Sequence, residues 1–143
     1  MAQSIKWLFV YGTLLSRSRD RIGRDMRWRL QRSCLVRHSA RVTGQLYDLG
    51  GYPGWVARTD GRCTVRGELL LLRDTADVFE WLDPYENYDP ATPEKGEYIR
   101  EVTRVAVASE CWQSAWAYRY RGEHKHHRRL EAGSWLRHPR ASK

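Results

Sequence analysis

In several stretches of the chain hydrophobic and polar positions alternate with a period of two, the spacing of a half-buried β-strand. Trp7 to Tyr11 is instead an unbroken aromatic and β-branched run, which suits a buried strand, and Gly12 ends it abruptly. In Leu35 to Tyr47, Ala40, Val42, Gly44 and Leu46 alternate with Arg41, Thr43, Gln45 and Tyr47. That predicts one long strand or a pair, with Gly44 marking a bulge or a close backbone crossing. Leu49 to Gly54 is a dense turn signal, and Trp55 to Ala57 a short strand leaving it. Asp60-Gly61 predicts a hairpin turn before a strand over Thr64 to Leu72, with Val65, Gly67, Leu69 and Leu71 on one face. Glu68 falls on the other face, where we expect it partly covered and paired with an arginine. Tyr98 to Ala108 and Ala115 to Tyr120 are further strands, the latter with Trp116, Tyr118 and Tyr120 on one side.

The helical period is confined to two places. Ile22, Met26 and Leu30 recur every four residues in the arginine-rich segment Ser16 to Arg32, predicting an amphipathic helix broken or bent near Gly23. Asp74 is a good N-cap, with Asp77 in the acid-rich first turn and Val78, Phe79 and Leu82 on the core face. This second helix is expected to run to about Leu82 and stop near Asp83-Pro84. Asn87 to Gly96 then reads as an exposed loop. Many strands with two peripheral helices make an α+β class, and 143 residues without repeat or linker make a single domain over residues 1–143.

Composition narrows the function classes. No segment approaches the roughly 20 apolar residues of a membrane helix, and no leader-like apolar run precedes Trp7. Cys34, Cys63 and Cys111 are odd in number, widely spaced and without a C-x-x-C pair, which fits unpaired thiols in a reducing cytoplasm. A catalytic thiol at Cys111 competes there with a packed structural cysteine. The formal charge of +8 favours an acidic partner, nucleic acid or a small carboxylate. Its arginines are scattered, and no recognised nucleic-acid motif is present, so specific nucleic-acid binding is the alternative rather than the leading reading. His124, His126 and His127 invite a metal reading, but the Lys and Arg around them oppose holding a cation.

Two stretches carry candidate chemistry. Gly12 lets the backbone turn or approach a ligand, Thr13 adds a hydroxyl, and successive N–H groups from Tyr11 to Leu14 can form an anion-binding concavity; an ordinary turn after a core strand is the plain alternative. Asp83 and Glu86 stand three apart at the end of the second helix, and either is placed to act as an acid–base residue. Asp83 is the better placed to satisfy local backbone donors, while Glu86 lies just past the helix, near Tyr85 and Tyr88.

Several of these stretches, in order, resemble the γ-glutamylcyclotransferase-like family, which includes γ-glutamylamine cyclotransferase and AIG2-like proteins. The marks are Phe9-Val10-Tyr11-Gly12-Thr13-Leu14, the Gly44-Gln45-Leu46-Tyr47 strand followed by Tyr52-Pro53-Gly54, and Val65-Arg66-Gly67-Glu68-Leu69. Leu82-Asp83-Pro84-Tyr85-Glu86, Tyr98-Ile99-Arg100 and the closing Gly133-Ser134-Trp135 complete them. In the last, Ser134 stands where an acid is expected.

The resemblance implies a small mixed β-barrel of about six strands with a few peripheral helices and a pocket at one mouth. It implies cleavage of a γ-glutamyl amide by internal attack of the substrate's α-amine on its γ-carbonyl, releasing 5-oxoproline and an amine or amino acid, with neither cofactor nor metal. Glu86 falls on the family's catalytic glutamate; Tyr11, Gly12, Thr13, Leu14 and Tyr118 would bind substrate. The partner expected is thus a small γ-glutamyl molecule, for a cytoplasmic monomer or homodimer. An inactive ligand-binding relative is a further alternative, since a fold can outlive its activity.

Overall fold

The computed structural model describes residues 5–58, 61–108 and 111–136. Asp60 of the expected hairpin turn lies outside these residues. In chain order the elements are β1 (Trp7–Val10), α1 (Arg24–Arg32), β2 (Cys34–Thr43), β3 (Gln45–Asp48), β4 (Pro53–Val56), β5 (Thr64–Leu72), α2 (Thr75–Tyr85), β6 (Tyr98–Ala108), β7 (Cys111–Tyr120) and β8 (Arg128–Leu130).

Five strands close a barrel in the order β1-β5-β2-β6-β7, and β4-β3-β8 form a separate three-stranded sheet. The barrel is mixed because β1 runs antiparallel to β5 and parallel to β7. The α+β barrel is as expected from the sequence; the barrel itself has five strands rather than about six, since β3 and β4 leave it. The departure happens at Gly44, whose φ of 140° is hard for any residue with a Cβ. Trp55 packs into the space that Cβ would occupy and donates its Nε1–H to the Thr43 carbonyl at 3.0 Å. β8 has no counterpart in the sequence reading; three residues with two arginines carry too little alternation to register.

β1 organises the core. Leu8, Phe9 and Val10 are all buried, so both faces of this strand meet protein, as its unbroken apolar run implies. On β5 the expected alternation holds through Leu69 and then reverses: Leu70 and Leu72 are buried and Leu71 is half-exposed. A register shift on β2 between Cys34 and Val36 lies opposite that reversal. Glu68 is partly covered, but its main partner is Ser16, which donates from N and Oγ at 2.9 and 2.6 Å; Arg37 stands off at 3.9 Å.

Both helices differ from expectation at one end. α1 begins only after Gly23, so Ser16 to Ile22 is a turn-rich connection. Ser18 and Asp20 bond to each other there, Oγ–H to Oδ2 at 2.9 Å and Asp20 N–H to Ser18 Oγ at 3.2 Å, and such local bonds compete with a helix. α2 starts as expected, the Asp74 carboxylate accepting from Asp77 N–H at 3.1 Å. It runs past Pro84 to Tyr85 because the proline, so near the end, removes one bond that the last turn can spare. Val78 and Leu82 are fully buried beneath it, each worth about 1.5–3 kcal/mol of burial.

Candidate active site

The C-terminus of α2 closes in a Schellman motif. Tyr88 N–H bonds to the Asp83 carbonyl at 2.9 Å and Asn87 N–H to the Pro84 carbonyl at 3.0 Å, with Asn87 left-handed at φ 55°. Asparagine tolerates that conformation better than most residues. Glu86, as the cap residue, bonds through its own N–H to the Leu82 carbonyl at 2.9 Å, so its side chain leaves from a fixed backbone.

A second clamp holds the same helix end against the barrel. The Arg100 guanidinium of β6 donates to both Asp83 oxygens, Nε at 2.8 Å and Nη2 at 3.1 Å, and Tyr118 Oη–H of β7 donates to Oδ1 at 2.6 Å. Arg100 and Tyr118 are direct cross-strand partners. Phe79 and Trp116, packed edge to face with ring centres 5.9 Å apart, flank the guanidinium on two adjoining sides, their ring centres 3.9 and 4.7 Å from it. Asp83 therefore has a structural engagement, though with two side chains across the barrel rather than with the local backbone donors expected.

Between the helix end and the strand end lies a cavity of about 200 Å³. It is small beside the roughly 300–1,000 Å³ usual for ligand pockets, a size for one compact amino-acid-like group. Tyr11, Gly12, Thr13, Leu14, Glu86 and Tyr118 all line it, so the residues expected to bind substrate and the glutamate expected to be catalytic come to one place, while Asp83, Cys111 and the late histidines do not line it. Tyr52, Tyr85, Glu97 and Tyr98 also line it, and sequence reasoning missed them. Tyr52 and Tyr98 were legible only as parts of matching motifs, and nothing local distinguishes Glu97 from the loop acids before it.

The loop after β1 is held by its carbonyls. Gly12 C=O accepts from Leu15 N–H at 3.0 Å, and Thr13 C=O accepts from Nη1 of the buried Arg27 at 2.5 Å. In a trans peptide the N–H points opposite the preceding C=O, so Thr13 N–H and Leu14 N–H face away from those partners. Among the described residues the N–H groups of Gly12, Thr13 and Leu14 have no hydrogen-bond acceptor. Gly12 owes its lack of a side chain to a neighbour rather than to a ligand: a Cβ there would sit 2.4 Å from Pro53 Cγ and 2.8 Å from Cδ. Pro53 is itself fixed by Tyr98 Oη–H, which donates to its carbonyl at 2.6 Å.

The hydroxyls around the cavity are mostly committed. Tyr11 Oη–H donates to the Tyr118 carbonyl at 2.7 Å while Oη accepts from Trp55 N–H at 3.2 Å. Tyr85 Oη and Thr13 Oγ1 are 3.2 Å apart. Tyr52 Oη–H donates to Glu97 at 2.7 Å, a bond that with burial and the Glu97 charge pushes the Tyr52 hydroxyl up to about 12. Glu86 differs from all of these. Burial, then the Glu97 charge, then Asp83, push its carboxyl up from 4.5 to about 8. No arginine or lysine pairs with it among the described residues. The site is thus an acidic cavity inside a basic protein, lined also by Gly12, Thr13 and Leu14, whose N–H groups have no acceptor among the described residues.

The three late histidines sit away from it. His124 packs its ring 4.8 Å from that of Tyr47, and among the described residues no group of three or more His, Cys, Asp or Glu side chains could hold a metal ion. No helix among the described residues is long and apolar enough to cross a membrane.

Residues 8–137 match the family model described as gamma-glutamyl cyclotransferase, AIG2-like. A putative gamma-glutamylcyclotransferase of Vibrio cholerae is 31% identical over 129 residues, covering 90% of this chain and 93% of the relative. Among solved structures, an AIG2-like protein of Mus musculus matches with a TM-score of 0.62 at 17% identity, over 94% of this chain and 84% of that one. YkqA of Bacillus subtilis matches with a TM-score of 0.63 at 20% identity, over 91% of this chain; the match spans 39% of that longer chain. At such identities the two structures speak for the fold alone. The chain belongs to the AIG2-like gamma-glutamyl cyclotransferase family.

Proposed function

We propose that the cavity converts a γ-glutamyl amide to 5-oxoproline, releasing an amine or amino acid, with Glu86 as the acid–base residue. The observation that carries this reading is the Glu86 carboxyl, pushed up to about 8 in a cavity that it shares with Gly12, Thr13 and Leu14, whose N–H groups have no acceptor among the described residues. The substrate's α-amine, beside its own free carboxylate, titrates above the roughly 7.7–8.0 of a peptide terminus, and a carboxyl raised to about 8 lies far closer to it than an ordinary one, so the proton exchange is much less uphill.

In this scheme the substrate's α-carboxylate lies on the Gly12, Thr13 and Leu14 N–H groups, and its α-ammonium faces Glu86. The carboxylate form of Glu86 takes one proton from the ammonium. The freed amine attacks the γ-carbonyl carbon, forming the ring C–N bond and a tetrahedral oxyanion. As the carbonyl re-forms, the bond to the departing nitrogen breaks and Glu86 gives that nitrogen its proton. The ring nitrogen still carries a surplus proton, which the regenerated Glu86 carboxylate takes and passes to the released amine, leaving a neutral lactam and an ammonium. The nucleophile is tethered in the substrate, so the enzyme's work is to fold the glutamyl chain and carry protons from the attacking nitrogen to the departing one.

Glu97, engaged by Tyr52, keeps a negative charge near Glu86 and favours its proton-holding form. Tyr118 and Tyr11 shape the wall, their hydroxyls being used within the protein. The deciding experiment incubates the protein with a panel of γ-glutamyl dipeptides and γ-glutamyl-amines and assays 5-oxoproline. Release by the parent and loss in Glu86→Gln is expected; no release from any member of a broad panel would overturn the reading.

A further inference from the structure

On another side of the barrel, behind the loop that carries Leu14, lies a larger cleft of about 830 Å³. Arg17, Arg41 and Arg66 line it, together with Ser39, Thr64 and Ser134. Arg41 on β2 and Arg66 on β5 are direct cross-strand partners. Like charges placed directly opposite on a sheet repel and destabilise it. Among the described residues none of the three arginines has an acidic partner or a hydrogen bond from its guanidinium. The one acid in the cleft, Glu68, is taken up by Ser16 and stands nearest Arg37.

Ser134 adds an independent sign. It is buried to 8% exposure, lines this cleft, and no partner for its hydroxyl is found among the described residues. A buried hydroxyl without a partner is costly and calls for an explanation. Its place is fixed from β5: Arg66 N–H donates to the Gly133 carbonyl at 2.7 Å, which sets Ser134 beside the arginine pair.

We propose that this cleft is a binding site for a phosphoryl oxyanion, bridging Arg41 and Arg66, reached by Arg17 and accepting the Ser134 hydroxyl. A dianion cancels the opposed charges, and its tetrahedral oxygens accept from guanidinium forks as well as hydroxyls. The cleft exceeds what inorganic phosphate fills, so the group is carried on a small organic molecule such as a nucleotide, or is a pyrophosphate. The reaction pocket is separate, and the proposal stands whatever that pocket catalyses.

Thermal shift and calorimetry on the full chain test it, with inorganic phosphate, pyrophosphate, ADP and a single-stranded oligonucleotide as probes at about 0.1 M salt. Pyrophosphate or ADP should bind and raise Tm, with affinity falling as salt rises. Arg66→Gln should raise the Tm of the free protein, by removing the opposed charge, and weaken the small phosphoryl probe at least tenfold. Ser134→Ala should weaken it by a smaller factor. Three results would overturn the proposal: no phosphoryl probe binding, binding unchanged in Arg66→Gln and Ser134→Ala, or binding confined to the oligonucleotide.

Discussion

Asp83 and Glu86, three residues apart at the end of α2, occupy opposite electrostatic settings. Asp83 receives both arms of Arg100 and the Tyr118 hydroxyl, whereas Glu86 feels another carboxylate, Glu97, and pairs with no cation among the described residues. Two acids on one helix end are thereby divided, one into holding the helix to the barrel and one into a group that binds and releases protons near neutrality.

Replacing Glu86 by Gln tests that division. The shape is kept and the proton acceptor lost, so kcat should fall by about 10²–10⁴. Stability should respond with a definite sign. The Glu86 pKa is raised in the folded state, so its contribution is fully present below about 4.5 and is lost as pH rises through about 8. Relative to the parent, Glu86→Gln should gain in Tm as pH goes from about 5 to about 8, measured by thermal unfolding across that range. Turnover within about threefold of the parent would move the assignment elsewhere.

Asp83→Asn is the complementary change. It leaves the Arg100 guanidinium, whose side chain is 14% exposed, without its carboxylate. Removing one partner of a buried pair costs about 3–5 kcal/mol, and urea unfolding should show it. Activity of the fraction still folded should fall less than in Glu86→Gln. A stable but inactive Asp83→Asn would show instead that Asp83 is the acid–base group.

The sequence announced the barrel strands through their period of two, and the strands most clearly patterned are the ones found with near-identical bounds. What it concealed was governed by distant partners. Ile22, Met26 and Leu30 carry an apolar spacing that predicts helix over Ser16 to Arg32, yet the helix starts only at Arg24, and before it Ser18 and Asp20 bond locally instead. Gly12 announces a close approach without saying to what; only the fold brings Pro53 there. Glu97 sits among loop acids in sequence and becomes a cavity residue because Tyr52, 45 residues away, meets it. Local pattern registers a strand or a cap, but an acid's role depends on which side chains the topology brings to it.

The Gly12–Pro53 contact has its own test. Gly12→Ala places a methyl carbon 2.4 Å from Pro53 Cγ, an overpacking that typically costs about 1–3 kcal/mol. Because the clash has one named partner, Pro53→Ala in the same chain should recover part of the loss. A double-mutant cycle by urea unfolding should therefore give less destabilisation than the sum of the single changes. Strict additivity would mean that the glycine is needed for another reason, such as the approach of a ligand.

The coupling of the two cavity carboxylates predicts a pH profile and a way to shift it. With Glu86 at about 8, kcat/KM for a γ-glutamyl substrate should climb on its acid side through that value, because the free enzyme must present the carboxylate form to accept the α-ammonium proton. Glu97→Gln keeps the shape and removes the charge that, after burial, does most to raise the Glu86 carboxyl. The acid limb of the profile should then move to lower pH, while kcat on the plateau changes little, since Glu97 transfers no proton in the scheme. A limb that stays in place in Glu97→Gln, in a protein of parental stability, would show that the Glu97 charge does not govern the Glu86 proton and that burial and Asp83 set it.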